Sequence, residues 1–411
     1  MRGDRVINNI LEEAKVLQEV IVKDRRYIHQ NAELGHDLPV TTEYVVKRLK
    51  EMGYEPKVIA DSAVVALACG KKSGKTFLIR ADMDALPIVE ENNLEYKSKT
   101  KNMHACGHDT HTAMLLGAAK LLKDHEEEIE GTVKLMFQPA EEELSGAKSM
   151  IEAGVLENPK VDAATMIHIF SGMPVEAGTL IIPKGGYVSA SGDMFHIDIK
   201  GKGGHGAMPQ DSIDPLNVLA HIHTSLQEII ARELSPSSTS VITIGQMHGG
   251  NAANIIPDTA FMEGTIRAFD KDERIFMKKR VMEVAESIAT AFRATANVEY
   301  RMECPSVYNN PKLYDEIKRI NNEFLGEENI KSFDDVYVGG KLTGSEDFGY
   351  VSEKVPTIMM VLGGGSPEEG YPYPQHHPKV DFNEDAFYIG AAVYANTAIE
   401  WLKLNNNANK K

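Results

Sequence analysis

Thr76-Phe-Leu-Ile-Arg-Ala-Asp-Met-Asp84 is a short, mostly apolar run that stops at two carboxylates. Thr76–Arg80 reads as a buried strand and Ala81–Asp84 as its end. Two further runs have the same form: Thr132–Phe137 (TVKLMF), which ends at Gln138–Glu143 (QPAEEE), and Ala163–Phe170 (AATMIHIF). Between the first two lies Thr110–Lys123 (THTAMLLGAAKLLK), whose composition and spacing are helical, and Ile7–His29 and Thr41–Met52 show helical apolar spacing as well. Strands alternating with helices predict an α/β sheet with helices on both faces. In such sheets ligands gather at the carboxyl ends of the strands, where Asp82, Asp84, Glu141, Glu142 and His168 all fall.

The helix Thr110–Lys123 begins inside Met103–Thr112 (MHACGHDTHT), which packs His104, Cys106, His108, Asp109 and His111 together. The chain holds only 3 cysteines and 14 histidines, so this concentration of N and S donors points to a borderline-soft divalent ion. Glu141-Glu142-Glu143 places neighbouring carboxylates on different sides of the backbone. One can hold metal while the next faces a water, the division that metal-assisted hydrolysis requires. A D-x-D pair projects both side chains to one side, where one acid can orient a ligand histidine.

At 411 residues, with 42% hydrophobic and 25% charged residues, the chain has an ordinary globular composition and room for two domains. Its net charge of −16 argues against nucleic acid or an anionic membrane as a partner. Cys69, Cys106 and Cys304 are too scattered for a disulfide framework, and no run is apolar enough for a signal core or a bilayer span. A cytoplasmic location is the expectation, and the polar tail LKLNNNANKK is expected to fray.

Near Gly185–Gly192 the texture changes. Met194–Lys200 alternates as a half-solvated strand; helix Pro215–Leu234, strands Ser240–Met247 and Thr259–Phe269, helix Asp272–Ala294 and strand Asn297–Met302 follow. This order is the split βαβ, ferredoxin-like α+β pattern, read as an insert over 187–303 between catalytic segments 1–186 and 304–411. Val355–Leu362 then returns to the first sheet. The insert carries His205 in GGHGAMP, Asn254 in HGGNAANIIP and Arg267 in GTIRA. These types suit oxyanion donation and carboxylate binding, and equally suit surface turns.

Taken together, RRYIHQNAELG, ADMDALP, MHACGHDTHTAMLLGAA, QPAEE, GKGGHGAMP, NIIPDTAFMEGTIRAF and GSEDFGY resemble the aminoacylase/carboxypeptidase family of di-metal hydrolases. The nearest branch is that of N-acyl amino acid amidohydrolases, hippurate hydrolases and auxin-conjugate hydrolases. The resemblance implies a di-zinc-peptidase-like catalytic domain, a central mixed sheet flanked by helices, with the insert as lid and dimerisation domain. It implies two divalent ions per subunit (Zn, Mn, Co or Ni) held by Cys106, His108, Glu142, His168 and His376, with His377 the rival for the last place. Cys106 lies where relatives outside the branch have a bridging aspartate. Glu141 becomes the general base and acid, Asp84 an orienting carboxylate and His205 an oxyanion donor reaching a partner subunit's site. Asn254, Arg267, Gly344 and Ser345 become substrate-binding positions.

The activity implied is hydrolysis of the amide of an N-acyl amino acid or small peptide by a homodimer. Ureido or amidine C–N hydrolysis and non-catalytic binding of amino-acid-like metabolites are the alternatives. Three departures stand out, one of them the altered residues that follow His168 in MIHIFSGMP. Glu143-Leu144-Ser145 follows QPAEE where glycines are usual, and Gln375-His376-His377-Pro378 replaces the usual Leu-His-x-Pro.

Overall fold

The computed structural model describes residues 3–337 and 339–407. They form two compact units. The first comprises the chain up to Val188, Tyr308–Lys341 and everything from Tyr350 on; the second comprises Ser189–Val307 and Leu342–Gly349. The short return segment, with Gly344 and Ser345, thus groups with the second unit, although the sequence placed it within 304–411. A few long-range bonds hold it there, and composition does not reveal them.

In the first unit a 10-stranded sheet carries, in spatial order, Lys57–Ala60, Ala63–Cys69, Glu130–Gln138, Lys72–Asp82, Ala163–Phe170, Thr357–Gly363, Tyr308–Asn309 and Gly186–Tyr187, with Leu180–Ile181 and Ile330–Lys331 branching off this path. The block from Glu130–Gln138 to Tyr308–Asn309 is parallel and the flanking strands are antiparallel, so the sheet is mixed. Lys72–Asp82 lies between the two strands that follow it in sequence, so the strand order reverses there. Its Asp82 pairs with Gln138, and Gly363 with Phe170, so these strands end near one level. A reversal of this kind opens a crevice at the carboxyl ends.

The helix His108–Asp124 is buried on almost every side. It packs against the Lys72–Asp82 strand and the helices Gln18–Gln30 and Phe387–Asn407, which explains why THTAMLLGAAKLL is apolar all round. Its first turn is forced close to the strand ends by Gly107, at φ +92. A Cβ there would lie 2.7 Å from Ile169 Cγ2 and 2.9 Å from Phe382 Cζ, so only glycine fits. The single helix expected over Ile7–His29 is two, Gly3–Val16 and Gln18–Gln30, broken at Leu17 while the apolar spacing continues. The last helix stays regular through Asn407, so the fraying expected of the tail does not begin at its start; residues 408–411 lie outside the described ones.

The second unit is a four-stranded antiparallel sheet in the order Ser240–Gly249, Thr259–Ala268, Gly192–Lys200, Thr295–Cys304. Helices Pro215–Glu228 and Lys271–Ala291 bury Val218, Ile222, Val281 and Ala285 against Phe195, Ile197 and Met262. Asp214 and Asp270 cap them, accepting from Leu216 N–H and Asp272 N–H at 2.9 Å each. The connectivity is the ferredoxin-like one.

Candidate metal centre

The two acids of the Asp82-Met83-Asp84 motif do different work. Asp82 is fully buried: its Oδ2 accepts from Arg80 Nη1 at 2.7 Å and its Oδ1 from His111 Nδ1 at 2.5 Å. Burial alone would raise its pKa, but His108, Arg80 and His111 beside it hold the carboxyl well below the usual range. Asp84 accepts the backbone N–H of Glu141 at 3.0 Å and of Glu142 at 3.1 Å, one on each oxygen. It therefore fixes the turn that presents the two glutamates. That turn contains Ala140 at φ +53 and Leu144 at φ +52, left-handed positions held by non-glycine residues.

Hydrogen bonds also choose the histidine tautomers. His108 Nδ1 donates to Asp84 O at 2.9 Å, which leaves the lone pair on Nε2. His168 Nδ1 donates to Ile169 O at 2.8 Å, and its Nε2 lies 3.5 Å from Cys106 Sγ. His108 Nε2 stands 3.8 Å from Glu141 Oε2 and 3.9 Å from Glu142 Oε1. His376 Nε2 lies 3.6 Å from Glu142 Oε1. Among the donor triads whose atoms lie within 4.8 Å of one another, Cys106/His108/His168 and Cys106/Glu142/His376 share Cys106, and His108/Glu141/Glu142 lies beside them.

This donor set fits two divalent cations. His108 Nε2 and Glu142 Oε1 are buried and have no hydrogen-bond partner among the described residues, which is costly unless something else satisfies them. Burial pushes the Cys106 thiol well up, with Glu142 adding to the effect. Burial likewise lifts Glu142 to about 7; His108 opposes this, while Asp84 and Asp82 reinforce it. Burial holds His168 well below an ordinary histidine. Around His108 it acts the same way, but Asp82 and Cys106 outweigh it and raise that pKa. Crowded anions and aimed lone pairs are relieved together by bound cations, which favour thiolate, carboxylate and neutral imidazole.

Other residues of the sequence motifs lie elsewhere. His104 is buried with neither ring nitrogen partnered among the described residues, and burial lowers its pKa to about 4. His377 stacks on Tyr373 at 4.3 Å and accepts from Lys379 N–H. In the second unit His205 is exposed on a two-residue strand paired with Ile255, and Gly206 N–H donates to Asn254 O at 2.9 Å, so His205 and Asn254 share one loop pair. Arg267 bonds Ser345 Oγ, while Gly344 is exposed.

The bracing behind the site went unread in the sequence. Asp109 Oδ2 accepts from Arg25 Nε and His29 Nδ1, both at 2.8 Å, and Arg80 Nε donates to Gln138 Oε1 at 2.9 Å. Only the charged residues inside apolar runs, such as Arg80, signalled it.

The fold and this donor cluster define a metallohydrolase-type α/β unit with an appended ferredoxin-like unit. Residues 78–400 match the model of Peptidase family M20/M25/M40, and the chain belongs to that family. It is 39% identical over 402 residues to thermostable carboxypeptidase 2 of Saccharolobus solfataricus, covering 96% of this chain and 99% of that one. It is 36% identical over 397 residues to the hippurate hydrolase of Campylobacter jejuni, covering 96% and 100%. Among solved structures, the Bacillus subtilis YXEP protein, a dinuclear metal binding peptidase from the M20 family, matches with a TM-score of 0.79 at 32% identity over 95% of this chain and 99% of that one.

Proposed function

We propose that this protein is a two-metal amidohydrolase that cleaves the amide bond of N-acyl amino acids or small peptides. Cys106, His108 and His168 would hold one cation and Cys106, Glu142 and His376 the other, with zinc, manganese, cobalt and nickel as the ions this donor set suits. Bound there, the pair would acidify a water and polarise the scissile carbonyl. Glu141 takes the proton of the attacking water and returns it to the departing amine nitrogen. Asp84 keeps Glu141 and His108 at their stations through the backbone bonds described above.

His205 donates to the developing oxyanion, and Arg267, Asn254, Gly344 and Ser345 hold the substrate, whose carboxylate suits the guanidinium. The chain works as a cytoplasmic homodimer joined through its second unit, with His205 serving the partner subunit's site. Neither nucleic acid nor membrane is a partner. The net charge of −16 supports the former, and among the described residues no helix is long and apolar enough to cross a membrane.

The observation that carries this reading is the pair of donor triads sharing Cys106, with Glu141 beside but outside both. Glu141→Gln tests it. Metal analysis should still find two ions, while turnover of N-acetyl, N-benzoyl and dipeptide substrates falls by about 10²–10⁴-fold. Unchanged turnover refutes the role of Glu141.

A further inference from the structure

His376 differs from the other proposed ligands. Its side chain is 54% exposed, and its backbone is left-handed at φ +64. A ligand on such a loop needs its own restraint, because exposed loop backbone moves more than strands and helices do. Two bonds supply one. His376 N–H donates to Ala105 O at 2.8 Å, next to Cys106. The preceding side chain, Gln375, donates from Nε2 to Ile169 O at 2.7 Å.

Ile169 O is the atom that also accepts from His168 Nδ1 at 2.8 Å, and Ile169 N–H donates to His111 Nε2 at 2.9 Å. One residue, Ile169, therefore ties the Cys106–His111 segment, the His168 strand and the His376 loop. Leucine, the residue the family resemblance leads one to expect at 375, has no donor for that carbonyl.

We infer that Gln375 is a positioning residue: its amide ties the His376 loop to the Ile169 carbonyl and sets how firmly the cation on the Cys106/Glu142/His376 side is retained. The inference rests on the proposed reading of His376 as a ligand. The amide acts on the loop, so its effect is present before any ion binds. Retention of the cation on the His108/His168 side does not depend on it.

The test compares wild type, Gln375→Met, which keeps length and loses the donor, and His376→Ala. Zinc-loaded proteins are mixed with a colorimetric chelator and release is followed in time. Two phases are expected for wild type, with the faster one accelerated about five- to tenfold in Gln375→Met and the slower one unchanged. In the metal-free protein, hydrogen exchange at the His376 amide should quicken in Gln375→Met by a similar factor.

Release and exchange identical to wild type overturn the inference, and so does equal acceleration of both phases, which is general loosening. His376→Ala separates the two levels of argument. If it binds two zinc ions as firmly as wild type, the ligand reading of His376 fails. If it loses one while Gln375→Met behaves as wild type, only the role of Gln375 fails.

Discussion

The polar residues singled out in the first unit are mostly buried and braced from several sides, whereas those of the second unit are largely exposed. Asp82, Asp84, His108, Glu141 and His168 are all buried, and bonds fix the histidine tautomers and the glutamate turn. His205, Asn254 and Gly344 face solvent, and Arg267 is half-buried. Under the proposed roles, the contrast follows from what each set must meet. An ion has to find lone pairs at set separations in a poorly hydrated place, so its donors come preassembled. A group that grips an incoming molecule must remain reachable. Stability and activity should therefore separate: changes in the first set damage both, and changes in the second damage activity alone.

The largest expected loss of stability tests the first half of that contrast. Arg25 is wholly buried, and Asp109 is its shortest ion pair, with Asp381 at 3.6 Å and Glu384 at 3.4 Å as more distant partners. Asp109→Asn leaves the guanidinium without that pair, and urea denaturation should show a loss of about 3–5 kcal/mol. A loss below about 1 kcal/mol would mean the bracing is ornamental and break the comparison.

The second half predicts the opposite for His205. His205→Ala should leave folding stability within about 0.5 kcal/mol of wild type, while turnover falls by about 10²-fold, the cost of one lost oxyanion donor. Mixing these subunits with Glu141→Gln subunits should restore part of the activity, because a heterodimer then has one site with both groups intact. Absence of rescue contradicts the proposed sharing of sites between subunits.

How far the sequence could be read follows the same division. Strands that stop at acids and a helix that starts among histidines mark the ends of a parallel sheet, so Asp84, Glu141, Glu142 and His168 were legible as neighbours in space. What Asp84 does was legible in part: it stands beside His108 as an orienting acid should, with Oδ1 3.4 Å from Nδ1, but its grip on backbone N–H groups carries no residue code. Spacing from Pro378 favoured His376 over His377, and sequence goes no further, since adjacent residues differ in where a left-handed turn aims them. The break at Leu17 was hidden because the apolar period runs through it.

The missing glycine after QPAEE has a clear structural consequence: Leu144 occupies φ +52, where glycine would be unstrained. Leu144→Gly should relieve about 1 kcal/mol of backbone strain and lose most of it again to the greater freedom of the unfolded chain. A net change within about 1 kcal/mol with activity kept is expected. Loss of activity would show that the leucine side chain itself shapes the turn.

The smallest effect lies at the far end of the helix that begins with His108, and asks whether strong bracing is confined to the site. His125, just past that helix, contacts Glu128 Oε1 at 2.8 Å through Nδ1 and Glu13 Oε2 at 2.6 Å through Nε2. Partial burial works against its charge, but the bonds to Glu128 and Glu13 outweigh it and raise the pKa above the ordinary value of 6.5. The folded state then holds the proton more tightly than the unfolded chain. The stabilisation is complete below about pH 6.5 and is lost as pH rises through the raised folded value. Near the surface, solvent screens such pairs, so only a few tenths of a kcal/mol are at stake. Melting curves from pH 6 to 8.5 should slope downward less for His125→Gln than for wild type. Parallel slopes would mean that the two carboxylates grip His125 no better than water does, and that strong electrostatic bracing in this unit belongs to the strand ends alone.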